Sequence, residues 1–360
     1  KPDGNNIMNV ALVGPCYPLR GGIAHYNARL YQALETAGWS VRLYGMSRQY
    51  PGIFFPGTRQ DDVSDHPIEA PSEIVVDSTN PLTWHRCRKM IRKFGAEAVI
   101  FQWWHPFFAP SFGSIARMVS RDGARPIFVC HNVRPHEATG LDDALLWYAY
   151  RSVSHFLVHA AEEQTRLRQV IPDRPIQVQV APHPVYDVFK PSGQTRTQAR
   201  AQLGLTAPNQ LLFFGYVRRY KGLDILIEAM PQILQDVDCE LLVAGECYED
   251  ANEYVTQIND LGLTDRVHFL NRYISNEEVP DLFRAADVCV LPYRHATQSG
   301  IVQVAYALDT PVIVTAVGGI PEVVSDNDSG LLVNPEDSGA LAQAVRRYFQ
   351  EGLADRLQQG

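Results

Sequence analysis

Short runs of β-branched and apolar residues alternate with longer amphipathic stretches along nearly the whole chain, and this rhythm starts twice. Such alternation is typical of parallel sheets whose strands are connected by covering helices. The first series of predicted strands is Val10–Gly14, Val41–Tyr44, Ala98–Gln102, Pro126–Cys130, Phe156–His159 and Gln177–Val180. The second series is Gln210–Gly215, Glu240–Ala244, Val267–Leu270, Val288–Pro292, Pro311–Thr315 and Gly330–Val333. The sequence therefore predicts two doubly wound α/β domains.

The stretches between the strands have the apolar spacing of helices that cover a sheet. In the first half they are Ile23–Ala37, Thr83–Phe94, Ser114–Arg121, Asp142–Val153 and Ala161–Val170. In the second half they are Leu223–Gln235, Ala251–Leu261, Asn276–Ala285, Gly300–Leu308, Glu322–Ser325 and Ser338–Phe349. The polar stretch 190–197 separates the two series, so we predict domains at residues 1–190 and 191–360. Because ligands of such sheets bind beyond the strand ends, we expect a nucleotide-like ligand in a cleft between the domains.

Composition and charge exclude several classes of protein. The chain is 46% hydrophobic with a net charge of −8, which fits a globular protein and disfavours nucleic acid as the main partner. No stretch approaches the roughly 20 apolar residues of a membrane-spanning helix. The six cysteines form no C-x-x-C pair, so we expect buried thiols in a reducing compartment, without a zinc site or disulfides. We therefore expect a cytoplasmic protein.

A compact basic run at residues 85–93 falls on the predicted helix Thr83–Phe94. Two interpretations fit this run. A solvated helix face is the simpler one, and we favour it. The other is a patch that touches an anionic acceptor or an anionic membrane, which would place the protein peripherally at the inner membrane face.

Two strand-to-helix turns have the composition of anion sites. Gly21 and Gly22 close the turn 14–22, where glycine lets backbone N–H groups approach a phosphate, although a tight turn alone also explains them. The spacing is not G-x-G-x-x-G, which disfavours a dinucleotide dehydrogenase. In the turn after Gly215, three cations fall within residues 218–221, and an anion such as a diphosphate would relieve their crowding.

Three further segments follow predicted strands. Ser299 is a good helix N-cap, and the N–H groups of Gly300 and Ile301 behind it form an anion site or an ordinary capped turn. Glu322 follows Pro321 at a predicted helix start, where local structure explains most of the pattern. His131 follows the strand Pro126–Cys130 and is either a structural residue or a group that faces the ligand.

Taken together, these segments resemble glycosyltransferase family 4, the retaining nucleotide-sugar glycosyltransferases of GT-B fold. The resemblance covers nearly the whole chain and rests on the order and spacing of its motifs. These are Gly21-Gly22, His131-Asn132, Gly-x-x-Arg-x-x-Lys-Gly at 215–222, the Ala-Ala-Asp-Val-x-Val-Leu-Pro run at 285–292, Thr310-Pro311-Val312-Ile313 and Val317-Gly318-Gly319-Ile320-Pro321-Glu322. It implies two Rossmann-like domains that face across a cleft, with the acceptor on the first and the nucleotide-sugar donor on the second.

The resemblance also implies a role for each matching residue. Arg218 and Lys221 look like the cations that hold the donor diphosphate, and residues 299–301 look like its backbone clamp. Gly21, Gly22 and Gly215 resemble the loops near the donor, and His131 resembles the histidine that contacts the transferred sugar. The substrate would be a UDP- or GDP-linked sugar, and neither a metal nor another cofactor is implied.

The sequence departs from the family at three positions. The family usually carries two glutamates eight positions apart, and Ala296 and Val304 occupy these positions here. Gln298, Gln303 and Glu322 are the nearest polar substitutes, of which we assign Gln298 and Glu322 to donor binding. Tyr216 fills the usual position of the arginine, and Arg218 follows two positions later.

We therefore predict a retaining hexosyltransferase-type glycosyltransferase (EC 2.4) that moves a sugar from a nucleoside diphosphate to an acceptor hydroxyl. The resemblance suggests bacterial polysaccharide or glycoconjugate synthesis, with a sugar or lipid-linked glycan as acceptor. Two alternatives remain. One is a sugar-nucleotide epimerase of the same fold, which would need acid and base carboxylates. The other is a non-catalytic GT-B binding protein that lost its chemistry together with the two glutamates.

Overall fold

The computed structural model of the chain describes residues 7–52, 57, 59–134, 140–172, 174–189 and 193–358. Internal contacts divide the chain into two compact units. Unit 1 comprises Lys1–Val63 and Pro67–Pro182, and unit 2 comprises Ser64–His66 and His183–Gly360. The predicted boundary after residue 190 falls on residues 190–192, which lie outside the described residues.

Within its described residues, unit 1 has seven parallel strands in the order β3-β2-β1-β4-β5-β6-β7. They are β1 (Asn9–Gly14), β2 (Ser40–Arg48), β3 (Ser72–Asp77), β4 (Ala98–Trp103), β5 (Arg125–Cys130), β6 (His155–Val158) and β7 (Gln177–Val180). Its helices are α1 (Gly22–Thr36), α2 (Pro81–Phe94), α3 (Ala109–Arg121), α4 (Gly140–Tyr150) and α5 (Ala161–Val170). The six strands predicted here are confirmed. Strand β3 was not predicted, because it lies at the sheet edge and keeps Ile74 42% exposed, which weakens its apolar pattern.

In its described residues, unit 2 has six parallel strands in the order β10-β9-β8-β11-β12-β13. They are β8 (Asn209–Phe214), β9 (Cys239–Ala244), β10 (Val267–Leu270), β11 (Val288–Leu291), β12 (Val312–Thr315) and β13 (Gly330–Val333). Its helices are α6 (Arg196–Gln202), α7 (Leu223–Ile233), α8 (Ala251–Asp260), α9 (Val279–Ala285), α10 (Gly300–Ala307), α11 (Ser338–Gln350) and α12 (Ala354–Leu357). All six predicted strands are confirmed.

The predicted helix Glu322–Ser325 is wrong. A single 3₁₀ turn, Ile320–Glu322, replaces it. Side-chain oxygens accept hydrogen bonds from the backbone in the segment that follows. The Ser325 N–H donates to Ser329 Oγ (3.0 Å), and the Leu332 N–H donates to Asp326 Oδ1 (3.0 Å). Such local bonds compete with a helix ladder.

Helix α6 was not predicted, and the polar stretch 190–197 includes only its first two residues. Its start is a capping box, in which Thr195 Oγ1 accepts from the Gln198 N–H and the Gln198 side chain bonds the Thr195 N–H. A capping box satisfies two backbone donors at once and marks a helix start even in a polar stretch.

The strand order places a switch point in each sheet, where successive connections run to opposite sides. In unit 1 it lies between β1 and β4, and in unit 2 it lies between β8 and β11. Ligands of doubly wound sheets bind beyond the strand ends at this point, at what we call the carboxyl edge. In the described part of the chain no helix has the length and apolar character needed to cross a membrane.

Candidate functional site

The loops that follow β8 and β11 meet closely at the carboxyl edge of unit 2. Gly215 and Gly222 bracket the first loop, with φ values of 104° and 69° that favour glycine. A Cβ atom on Gly222 would lie 2.0 Å from the Pro292 carbonyl oxygen, so only glycine lets the two loops approach this far. The glycines of the 215–222 motif thus bring the cationic loop against the end of β11.

Lys221 lies where these two loops meet, a place that we call the junction, and is only 8% exposed. Its Nζ atom lies 5.5 Å from the centre of the Tyr293 ring and 3.0 Å from the position a Cβ on Gly215 would take. Among the described residues, no carboxylate lies within ion-pair distance of Lys221. Burial, with a smaller contribution from the Arg218 charge, lowers the pKa of Lys221 from 10.5 to about 8. A buried ammonium without a counter-ion is costly, and an anion bound here would offset that cost.

Arg218 is exposed and rests on an aromatic pair. Its guanidinium carbon lies 4.9 Å from the centre of the Tyr248 ring, and Tyr248 stacks on Tyr216 at 4.6 Å. Cation–π contact orients an arginine and still leaves its N–H donors accessible to an anion. Tyr216, which the sequence marks only as a departure from the family, therefore helps to place Arg218.

Arg294 fixes the cationic loop through hydrogen bonds. Its guanidinium donates to both carboxylate oxygens of Asp224 (2.7 Å each) and to the Arg219 carbonyl oxygen (2.8 Å). The backbone N–H of Arg294 also donates to the Tyr220 carbonyl oxygen (2.7 Å). A bidentate arginine–carboxylate pair fixes geometry well. Sequence reasoning missed Arg294, because only the fold brings it to the start of α7.

Residues 299–301 form the start of α10, as predicted. Ser299 Oγ accepts from the Val302 N–H (3.3 Å), which confirms the N-cap. The Ile301 side chain reaches the same junction as Lys221, since a Cβ on Gly215 would lie 3.5 Å from Ile301 Cδ1. The structure therefore gathers Gly215, Lys221 and the first turn of α10 at one place in unit 2.

The two positions without glutamate are packed into the protein. Ala296 and Val304 are both buried. Near them, the Oε1 atom of Gln298 is inaccessible to solvent and has no hydrogen-bond partner in the described part of the chain. The assignment of Gln298 to donor binding stays a prediction. Glu322 is exposed on its 3₁₀ turn, and its assignment to donor binding stays a prediction.

The other predicted site residues lie in unit 1. Gly21 precedes α1 with a φ of 112°, which favours glycine, whereas Gly22 is exposed, with nothing near the position of its missing Cβ. His131 is buried just after β5, where its ring packs edge-on against Tyr26 at 4.9 Å. Because Tyr26 belongs to α1, the helix that begins at the glycine pair also shapes the surroundings of His131.

Residues 208–351 match the sequence profile of the family described as Glycosyl transferases group 1. Among curated proteins, D-inositol 3-phosphate glycosyltransferase 1 of Catenulispora acidiphila is 34% identical over 214 residues, which cover 56% of this chain and 50% of that protein. The chain spans about half the length of the curated relatives it matches.

Several solved structures resemble the chain over nearly its whole length, and two serve as examples. Sucrose-phosphate synthase from Thermosynechococcus elongatus has a TM-score of 0.74 and 22% identity and covers 98% of this chain and 92% of its own. HepE of Anabaena, solved in complex with UDP-glucose, has a TM-score of 0.69 and 18% identity and covers 97% and 93%. At this identity the likeness concerns the fold, and it confirms the predicted class: two parallel-sheet α/β domains of the GT-B type.

The pKa of Lys221 can be measured directly, because the chain has only five lysines (1, 89, 93, 190 and 221). In ¹³C-lysine NMR we expect Lys221 to titrate near pH 8, since burial penalises its charged form. Arg218→Ala should raise the pKa of Lys221 only in part, because burial is the larger cause, and Arg219→Ala is the matched control that should leave it unchanged. Lys221→Arg identifies the signal. Titration of Lys221 above pH 10 would contradict this description of the site.

Proposed function

We propose that the chain is a glycosyltransferase that moves a sugar, with retention, from a nucleoside diphosphate to an acceptor hydroxyl. The observation that carries the proposal is the buried Lys221, which has no carboxylate partner among the described residues and lies beside the first turn of α10. This arrangement suits a multiply charged anion such as a diphosphate. The family match of residues 208–351 and the UDP-glucose bound to HepE support the same class of donor.

In this proposal, catalysis consists of positioning and leaving-group stabilisation. The bond between the sugar C1 and the diphosphate breaks, and the bond from C1 to the acceptor oxygen forms on the same face. Lys221, Arg218 and the amides of Gly300 and Ile301 meet the charge that builds on the diphosphate. Ala296 and Val304 supply no carboxylate, so we assign no protein nucleophile, and the departing phosphate oxygen takes the acceptor proton.

The remaining assignments concern recognition of the donor. Gln298, which is half-buried before the first turn of α10, would contribute to donor binding through its side-chain amide. In unit 1, His131 would contact the transferred sugar, and Gly21 and Gly22 would approach the donor. We propose a UDP- or GDP-linked donor and a glycan acceptor of bacterial polysaccharide or glycoconjugate synthesis.

Lys221→Ala should lower turnover by about 10²–10³-fold without unfolding the protein, because removing one preorganised charge at a developing anion typically costs this much. Lys221→Arg should recover part of the loss. The matched control is Arg284→Ala, which removes an exposed cation on α9 and should keep full turnover. The assay follows release of nucleoside diphosphate from a sugar nucleotide in the presence of acceptor, with the fold checked by circular dichroism.

Each other outcome of this assay has a definite meaning. Full turnover by Lys221→Ala would refute the assigned role of Lys221. Interconversion of sugar nucleotides without release of diphosphate would indicate an epimerase. Tight nucleotide binding without turnover for any acceptor would indicate the non-catalytic binding protein.

We also propose that α2 is a peripheral membrane contact. Leu82, Arg86, Lys89 and Lys93 follow helical spacing along one exposed stripe, and Leu82 is 78% exposed. The helix contains no acidic residue. Its opposite side packs Cys87 and Ile91 into the core. A stripe of cations with one apolar residue suits a surface of anionic lipid.

Sedimentation with vesicles tests this contact. Lys89→Gln/Lys93→Gln should weaken binding to vesicles rich in phosphatidylglycerol by about 30-fold, since each surface cation contributes about 1 kcal/mol. Arg168→Gln/Arg284→Gln removes two exposed cations elsewhere and should bind like the wild type. Equal loss in both double variants, or no binding by the wild type, would contradict the proposal.

A further inference from the structure

The geometry points to Asn27 and Gln102 as positioning residues that fix which ring nitrogen of His131 carries the hydrogen. The hydrogen-bond relay itself is a property of unit 1. Only its consequence for the donor sugar rests on the proposed function.

The relay starts at the Pro15 carbonyl oxygen, which can only accept a hydrogen bond. The side chain of Asn27 donates through Nδ2 to the Pro15 carbonyl oxygen (3.0 Å). Its Oδ1 atom therefore faces Gln102, whose Nε2 donates to it (3.2 Å). The remaining amide atom of Gln102, Oε1, lies 2.9 Å from His131 Nε2. Because an amide oxygen only accepts, His131 must carry its hydrogen on Nε2.

Burial leaves the relay one consistent arrangement. Asn27 and Gln102 are both 0% exposed, so water cannot replace a lost partner. If the Gln102 amide were reversed, its oxygen would face the oxygen of Asn27. If the Asn27 amide were reversed, its oxygen would face the Pro15 carbonyl. Either reversal sets two acceptors against each other and leaves buried groups unsatisfied.

The fold builds this relay at the switch point of unit 1. Gly14 ends β1, Gln102 lies near the end of the neighbouring β4, and His131 follows β5, which is next in the sheet. A Cβ on Gly14 would lie 2.9 Å from Gln102 Cγ and 3.3 Å from Asn27 Nδ2. The absence of a side chain at Gly14 thus leaves the room that both amides occupy.

A neutral His131 with its hydrogen on Nε2 has Nδ1 as its acceptor. Under the proposed function, this ring would accept a hydrogen bond from a hydroxyl of the donor sugar rather than donate one. A second group that fixes the tautomer and orientation of a histidine is a common arrangement at active sites. Asn27 and Gln102 would act only through His131 and would not touch the substrate.

NMR of ¹⁵N-histidine in the full chain, at a pH where the imidazole is neutral, reports the tautomer directly. The wild type should show the hydrogen of His131 on Nε2, with the signal identified by its loss in His131→Phe. Gln102→Met removes the acceptor at similar length and should shift the ring toward the other tautomer or a mixture. The matched control Gln179→Met changes an exposed glutamine of β7 and should leave His131 unchanged.

A hydrogen on Nδ1 in the wild type, or an unchanged ring in Gln102→Met, would overturn the inference. The wild-type tautomer needs only the assignment from His131→Phe, so the test holds even where Gln102→Met fails to fold. We further expect Gln102→Met to lower kcat/KM for the donor by roughly 10–100-fold through misplacement of His131. If the tautomer is as stated and no glycosyl transfer is found with any donor, the relay stands and the proposed function fails.

Discussion

Burial of the Lys221 ammonium at the carboxyl edge of unit 2 is the constraint on which the rest of the site depends. Taking this charge out of water is unfavourable, and the low pKa of Lys221, about 8, is a measure of that cost. The chain keeps the lysine there by pressing the loop 215–222 against the end of β11, which only glycine at 222 permits. An anion at the junction would turn this unfavourable placement into a favourable interaction.

The cations around Lys221 divide into two kinds. Arg294 is structural, because Asp224, Glu336 and the Arg219 carbonyl oxygen occupy its guanidinium donors. Arg218 is oriented by the rings of Tyr216 and Tyr248 and stays exposed. Arg294 thus fixes the loop that carries Lys221, and Arg218 keeps its donors accessible to a ligand. Preorganisation of this kind lets charges act on a developing anion without rearrangement.

Much of the fold and part of the site could be predicted from the sequence, because these features depend on local patterns. Buried strands such as β8 and β9 show as apolar runs, and the N-cap at Ser299 shows as a turn residue before a helix. The rest depends on residues far apart in the chain. The Arg294–Asp224 pair and the relay from Asn27 through Gln102 to His131 exist only because parallel strands bring their ends together. The helix predicted at residues 322–325 is wrong for a local reason, because side-chain hydrogen bonds replace the helix there.

Calorimetry of nucleoside diphosphate binding, without metal and at pH 8 in two buffers of different ionisation enthalpy, tests the central claim most directly. The free protein holds Lys221 about half protonated at this pH, and a bound diphosphate would keep it charged. The account predicts that UDP or GDP binds with uptake of about half a proton in the wild type, and that this uptake disappears in Lys221→Arg. Failure of both nucleotides to bind, or equal proton uptake in the two proteins, would contradict it.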